Sequence, residues 1–147
     1  MISEAFRSLR TNLQFMGNTV DPDQPRVISI TSTTSGEGKT FVAINLAGII
    51  AYSGQRVIVL DLDMRKPKIH IGFDVDNLKG MSTILIGKSS LEECVRNSKV
   101  ENLDFITAGP IPPNPAELIL GKRMSELIER LKKEYDTIII DNPPVGL

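Results

Sequence analysis

Apolar residues recur along this 147-residue chain in two rhythms, and their alternation predicts its elements. From Ile2 to Met16 the positions Ile2, Phe6, Leu9, Leu13 and Met16 follow steps of four and three, which predicts an amphipathic helix packed by one face on a neighbour. Glu4, Arg7 and Arg10 recur at steps of three beside that stripe and share one flank. Gly17 and Asn18 end the helix, and Asp21, Pro22, Asp23 and Pro25 make a connector that continues neither helix nor strand. Val27 to Ile30 then read as a strand, a Gly-containing loop follows, and Thr40 to Ser53 read as an apolar helix with Val42, Leu46, Ile49 and Ile50 inward. Val57 to Leu60 form the second strand. Both strands are unbroken β-branched or aliphatic runs, as parallel strands covered on both faces are. Ser82 to Ile86 and Leu91 to Arg96 read as short helices within a region rich in Lys, Asn and Gly. Leu103 to Thr107 is a third strand, Gly109 to Pro115 a proline-rich loop, Arg123 to Tyr135 an amphipathic helix and Thr137 to Ile140 a fourth strand.

Strands alternating with helices predict an α/β fold, a mostly parallel sheet between two helical layers, preceded by the N-terminal helix. The chain is expected to be one domain over 1–147, with the helix in 1–17 and the core in 26–147. After the last strand no element remains to cover a sheet edge, so the C-terminal part of the domain is expected to lie outside this sequence.

Composition narrows the function. Seventeen Lys and Arg against 18 Asp and Glu give a formal charge of −1, which leaves no whole-domain footprint for nucleic acid or anionic lipid. Cys94 is the only cysteine, which excludes an intrachain disulfide framework and a cysteine-based zinc site and fits a reducing cytosol. No apolar run approaches the roughly 20 residues that cross a bilayer, and no signal-peptide pattern opens the chain.

The chemistry begins at Thr33 to Thr40, TTSGEGKT, which matches the phosphate-binding pattern GxxxxGK[ST] except for Thr33 at its first position. It follows a predicted strand and opens a predicted helix, so backbone N–H groups and the helix dipole converge on phosphate oxygens. Thr34, Ser35, Gly36, Glu37, Gly38, Lys39 and Thr40 are the expected ATP contacts. Gly36 and Gly38 let the backbone approach, Lys39 offers a cation to the β and γ phosphates, and the Thr40 hydroxyl is a Mg²⁺ ligand. Asp61 ends VIVLD, Asp63 follows two residues later, and Asp141 ends TIIID. All three fall at carboxyl ends of predicted parallel strands, where open α/β sheets bind ligands, and hard oxygen donors suit Mg²⁺. Thr40 and Asp141 are the metal ligands this placement favours.

Taken together, EAFRSLRTN at Glu4 to Asn12, SGEGKT at Ser35 to Thr40, VIVLDLDMRKP at Val57 to Pro67, GPIPPNPAEL at Gly109 to Leu118 and TIIIDNPPVG at Thr137 to Gly146 resemble a family. It is that of the bacterial tyrosine kinases that accompany capsule and exopolysaccharide export, and the resemblance covers nearly the whole chain. It implies a P-loop NTPase-like fold, an ATP- and Mg²⁺-dependent protein-tyrosine autokinase, and an extra Walker A′ motif whose Asp61 and Asp63 join Lys39 as the catalytic group, with Asp61 also joining Thr40 and Asp141 at the metal. It also implies Asp141 as the Walker-B residue and Glu4, Arg7 and Arg10 as an ExxRxxR motif for ring-like self-association. The tyrosine tail of one subunit would then meet its neighbour's site. A fused membrane anchor or a separate membrane-anchored activator is implied as well, with the domain at the cytoplasmic face of the membrane. We assign Asp61 the side of the acceptor hydroxyl. Because a tyrosine titrates near ~10 and phosphoryl transfer is largely loose, a carboxylate there orients the hydroxyl and accepts its proton late.

Three departures stand out. The family's tyrosine-rich tail is not in this sequence, whose tyrosines are Tyr52 and Tyr135, both on predicted helices. Lys68 stands where some members carry a regulatory tyrosine, and Asn142 follows Asp141 where Thr is more usual. The competing reading is a dimerising positioning ATPase of the MinD/ParA kind. That group usually carries a lysine early in its P-loop, where this chain has Thr34. A nucleotide-gated scaffold is the third. His70 reads as structural or surface and not metal-binding, Cys94 as half-buried packing, and Arg65, Lys66 and Lys68 as a solvated basic loop without an assigned role.

Overall fold

The computed structural model describes residues 12–16, 24–32 and 37–144, and of 12–16 and Glu37 the backbone only. Among the described residues the strands are β1 (Asn12–Met16), β2 (Arg26–Thr31), β3 (Val57–Asp61), β4 (Arg96–Asn97), β5 (Leu103–Ile106) and β6 (Thr137–Asp141). They form one sheet in the order β1-β2-β6-β3-β5-β4. The four inner strands are parallel, and β1 and β4 pair antiparallel at the two sides. Helix α1 (Glu37–Tyr52) joins β2 to β3, and α2 (Ile69–Gly72), α3 (Met81–Leu85) and α4 (Leu91–Cys94) lie between β3 and β4. Helices α5 (Pro115–Ile119) and α6 (Lys122–Lys132) precede β6.

The unbroken apolar runs are explained by burial on two sides. Val57, Ile58, Val59 and Leu60 are all 0% exposed, and alternate residues serve opposite layers. Val57 and Val59 join Ile28, Ile30, Phe105 and Ile139 against Ala43, Ala47 and Ala51 of α1. Ile58 and Leu60 join Ile106, Ile138 and Ile140 against Met124, Leu127 and Leu131 of α6. Each such aliphatic side chain contributes about 1.5–3 kcal/mol when fully buried, so the sheet is clamped from both faces. The three-layer α/β/α architecture is therefore as expected.

Several expectations need correction. Asn12–Met16, the end of the expected N-terminal helix, is strand β1, paired from Asn12↔Thr31 to Met16↔Val27. That segment alternates polar and apolar as well as following the helical step, and the free edge of β2 offers ladder hydrogen bonds that decide between them. Residues 1–11, with Glu4, Arg7 and Arg10, lie outside the described residues, as does the connector at 17–23. Ile49 does not point inward but is 55% exposed, with Leu46 and Ile50 half-buried, because the small alanines of α1 take the sheet face. The helix expected over Leu91 to Arg96 stops at Cys94, and Arg96–Asn97 pairs with β5 as β4. Tyr135 lies past the end of α6 in the turn before β6, and Cys94 is fully buried, not half-buried. The last strand is no edge: β6 fills the slot left between β2 and β3 by their crossover, hydrogen-bonded on both sides.

Candidate active site

That slot decides the chemistry. The chain leaves β2 for the P-loop and α1, skips one strand position and returns as β3, so β6 arrives last between them. Open α/β sheets bind ligands at such a switch of strand order, at the carboxyl ends of the strands. Asp61 and Asp141 end neighbouring strands in direct register. By the pleat, both side chains lie on the side of Val59 and Ile139, which is the side of α1.

Helix α1 delivers two polar side chains to the same place. Lys39 Nζ lies 2.5 Å from Asp141 Oδ1 and also donates to the Asn142 carbonyl oxygen, and the pair is almost wholly buried. Thr40 Oγ1 donates to Asp141 Oδ2 at 3.3 Å. The other carboxylate is held by backbone. Asp61 Oδ1 accepts from the Asp63 N–H at 2.9 Å, and Oδ2 accepts from the Lys68 and Ile69 N–H groups at 3.1 Å each. Asp63 Oδ1 in turn accepts from the Lys66 N–H at 3.3 Å. The loop after β3 is thus wrapped around its own two carboxylates.

Burial sets the charges. Asp61 is 0% exposed, and loss of water, reinforced by the neighbouring Asp141 carboxylate, pushes its pKa up from 3.8 to about 7 against the pull of its three N–H donors. Burial also raises Asp141, with Asp63 adding to the rise and Lys39 and Thr40 opposing it. Two carboxylates and one ammonium in a dry crevice leave one acid poised to carry a proton near neutrality.

Of the expected site residues, the structure brings together Lys39, Thr40, Asp61, Asp63 and Asp141. Thr34, Ser35 and Gly36 lie outside the described residues; Glu37 and Gly38 begin α1. Asp61 is 0% exposed and Asp63 7%. The sequence reading missed the Asn142 carbonyl, a backbone atom that leaves no trace in residue type. It also missed a buried polar pair at the other end of the sheet, where Tyr135 Oη donates to Asp104 Oδ2 at 2.6 Å. A single Asp inside the apolar run LDFI was the available signal. His70 is half-buried, burial lowers its pKa, and its Nδ1 is enclosed without a hydrogen-bond partner among the described residues. Among the described residues no group of three or more His, Cys, Asp or Glu could hold a metal by itself.

A strand, a P-loop lysine opening a helix, and a second and third strand each ending in Asp define a P-loop NTPase-type fold and site. The chain belongs to the family described as "AAA domain", whose profile matches residues 25–146. Within that class its relatives are bacterial tyrosine kinases. It is 44% identical over 143 residues to the tyrosine-protein kinase YwqD of Bacillus subtilis (strain 168), a match covering 97% of this chain and 59% of that relative. The solved kinase domain of Escherichia coli tyrosine kinase ETK superposes with a TM-score of 0.78 at 38% identity, over 86% of this chain and 49% of that one. The septum site-determining protein MinD from Pyrococcus horikoshii, solved with Mg-ADP, gives 0.67 at 28% identity over 81% and 49%. The chain thus spans a little under two thirds of the first of these relatives. Among the described residues no helix is long and apolar enough to cross a membrane.

Proposed function

We propose that the chain is the nucleotide-binding portion of an ATP-dependent protein-tyrosine kinase that phosphorylates tyrosines of neighbouring copies and serves capsule or exopolysaccharide assembly. The observation that carries this reading is the register pairing of Asp61 with Asp141 beside Lys39 and Thr40. It is supported by the kinase names of the relatives and by the better superposition on a kinase domain than on MinD. We further propose that Glu4, Arg7 and Arg10 mediate self-association, and that a fused anchor or a membrane-anchored activator keeps the protein at the cytoplasmic face of the membrane.

The donor set suits Mg²⁺ and ATP. Thr40 and Asp141 present hard oxygens side by side with Asp61 adjacent, donors that suit an ion completed by phosphate and water oxygens. When bound, Mg²⁺ supplies positive charge to the phosphate oxygens. Lys39 is held at the site by Asp141 and the Asn142 carbonyl, where its ammonium would offer positive charge to the β and γ phosphates. Asp63, the less enclosed carboxylate of the loop, meets the acceptor phenol and orients it. Asp61 fixes Asp63 through the Asp63 N–H, and Asp63 takes up the phenol proton, which leaves late. Rate acceleration then comes chiefly from position and charge.

The test is transfer of labelled γ-phosphate from ATP with Mg²⁺ to a Glu-Tyr copolymer. Phosphotyrosine should form with the unmutated protein and fall by about 10²–10³ in Lys39→Met and in Asp63→Ala. Steady ATP hydrolysis without phosphotyrosine would overturn the kinase reading in favour of a positioning ATPase.

A further inference from the structure

The sequence contains two tyrosines, and the structure treats them in opposite ways. Tyr135 is 5% exposed, its hydroxyl donates to the buried Asp104 carboxylate at 2.6 Å, and Arg56 covers its ring at 5.1 Å. Burial and the Asp104 contact raise its pKa far above the ordinary phenol value. A kinase site cannot reach that oxygen without unfolding the β5–β6 end of the sheet. Tyr52 is the reverse case: it is 94% exposed, the last residue of α1, and the chain turns away immediately through Ser53 and Gly54. Three positions earlier on the same face Ile49 is 55% exposed, so the phenol stands beside an apolar foothold at the C-terminal end of α1.

We propose that Tyr52 is a phosphate acceptor, modified by the site of another copy of this chain; the inference rests on the kinase reading above. The geometry excludes the chain's own site. Lys39 and Tyr52 are thirteen residues apart on one continuous helix, and at 1.5 Å per residue this separates them by about 20 Å along a rigid rod. No side-chain rotation closes that distance, so the donor has to be a second protomer. In the transfer the Tyr52 phenolic oxygen bonds to the γ-phosphorus of ATP, and the bond from that phosphorus to the β,γ-bridging oxygen breaks. ADP leaves, and the phenol proton passes to the Asp63 carboxylate of the donor copy and on to solvent. The product dianion sits at a helix C-terminus whose last turn holds no basic residue. The dipole disfavours negative charge there, so phosphorylation loosens the last turn of the helix that carries Lys39 and Thr40.

The experiment mixes active protein with a Lys39→Met copy distinguished by mass label, adds ATP and Mg²⁺, and maps phosphate by peptide mass spectrometry. A Glu-Tyr copolymer in a parallel reaction reports kinase activity independently. The expected result is phosphate on the Tyr52 peptide of the Lys39→Met copy and none on the Tyr135 peptide. In Tyr52→Phe that peptide stays unmodified while copolymer phosphorylation stays within twofold. Phosphorylated copolymer with unmodified Tyr52 overturns the proposal and leaves the kinase reading intact. Failure to phosphorylate the copolymer overturns both.

Discussion

Replacing Asp61 by Asn should stabilise the metal-free protein, and the gain should grow with pH. Asp61 is fully buried beside Asp141, and its pKa rises from 3.8 to about 7. A carboxyl whose folded pKa lies above its unfolded value favours folding while protonated. That contribution is fully present below pH 3.8 and is lost as pH rises through about 7, where the folded protein must hold an ion that water solvates better. A shift of roughly three units at 1.36 kcal/mol each costs about 4 kcal/mol on the alkaline plateau, and about 2–3 kcal/mol of it falls between pH 5 and 8. Asparagine reproduces the protonated acid: its carbonyl can keep the Lys68 and Ile69 N–H donors on one oxygen position, while the Asp63 N–H bond weakens in either case. D61N therefore has no charge to lose. In thermal melts with chelator present, the advantage of D61N over the unmutated protein should widen from pH 5 to pH 8 by roughly 5–10 °C, at about 2–4 °C per kcal/mol for a chain of this size. An advantage independent of pH, or a D61N protein less stable than the parent at pH 8, would refute the argument from burial.

Tyr135→Phe removes the hydroxyl that donates to Asp104, leaving Asn97 Nδ2 at 2.8 Å as a donor to the other oxygen. It should cost about 1–3 kcal/mol in chemical denaturation. Transfer to the Glu-Tyr copolymer should not change, since the pair lies at the opposite end of the sheet from Lys39; a tenfold loss of transfer at full stability would mean that the two ends are coupled. Replacing Glu4, Arg7 and Arg10 together by Ala should leave nucleotide affinity unchanged and reduce the mass seen by light scattering to that of one chain. An unchanged mass sinks the self-association role.

How much of this could be read in the sequence follows from what each rhythm encodes. Val57 to Leu60 and Thr137 to Ile140 were legible because two covering layers demand an unbroken apolar run, and nothing else in a chain of this charge does. The inward face of α1 was not: apolar residues surround that helix, so periodicity gives no direction, and the sheet selects Ala43, Ala47 and Ala51 by their size. Asn12–Met16 fits both periods, and only the pairing partner resolves it. The place of β6 is invisible locally, because strand order is a property of crossovers. It is nonetheless the fact on which the site depends, since an edge strand could not set Asp141 between the P-loop strand and Asp61. Residue type and motif spacing found the charged groups; what they could not find was the backbone that disciplines them. Three N–H groups around Asp61 and one carbonyl under Lys39 convert five separate motif residues into a preorganised crevice. The same wrapping sets apart two carboxylates only two residues distant in sequence: Asp61 is sealed by the N–H groups of its own loop, while Asp63 keeps a small exposed surface.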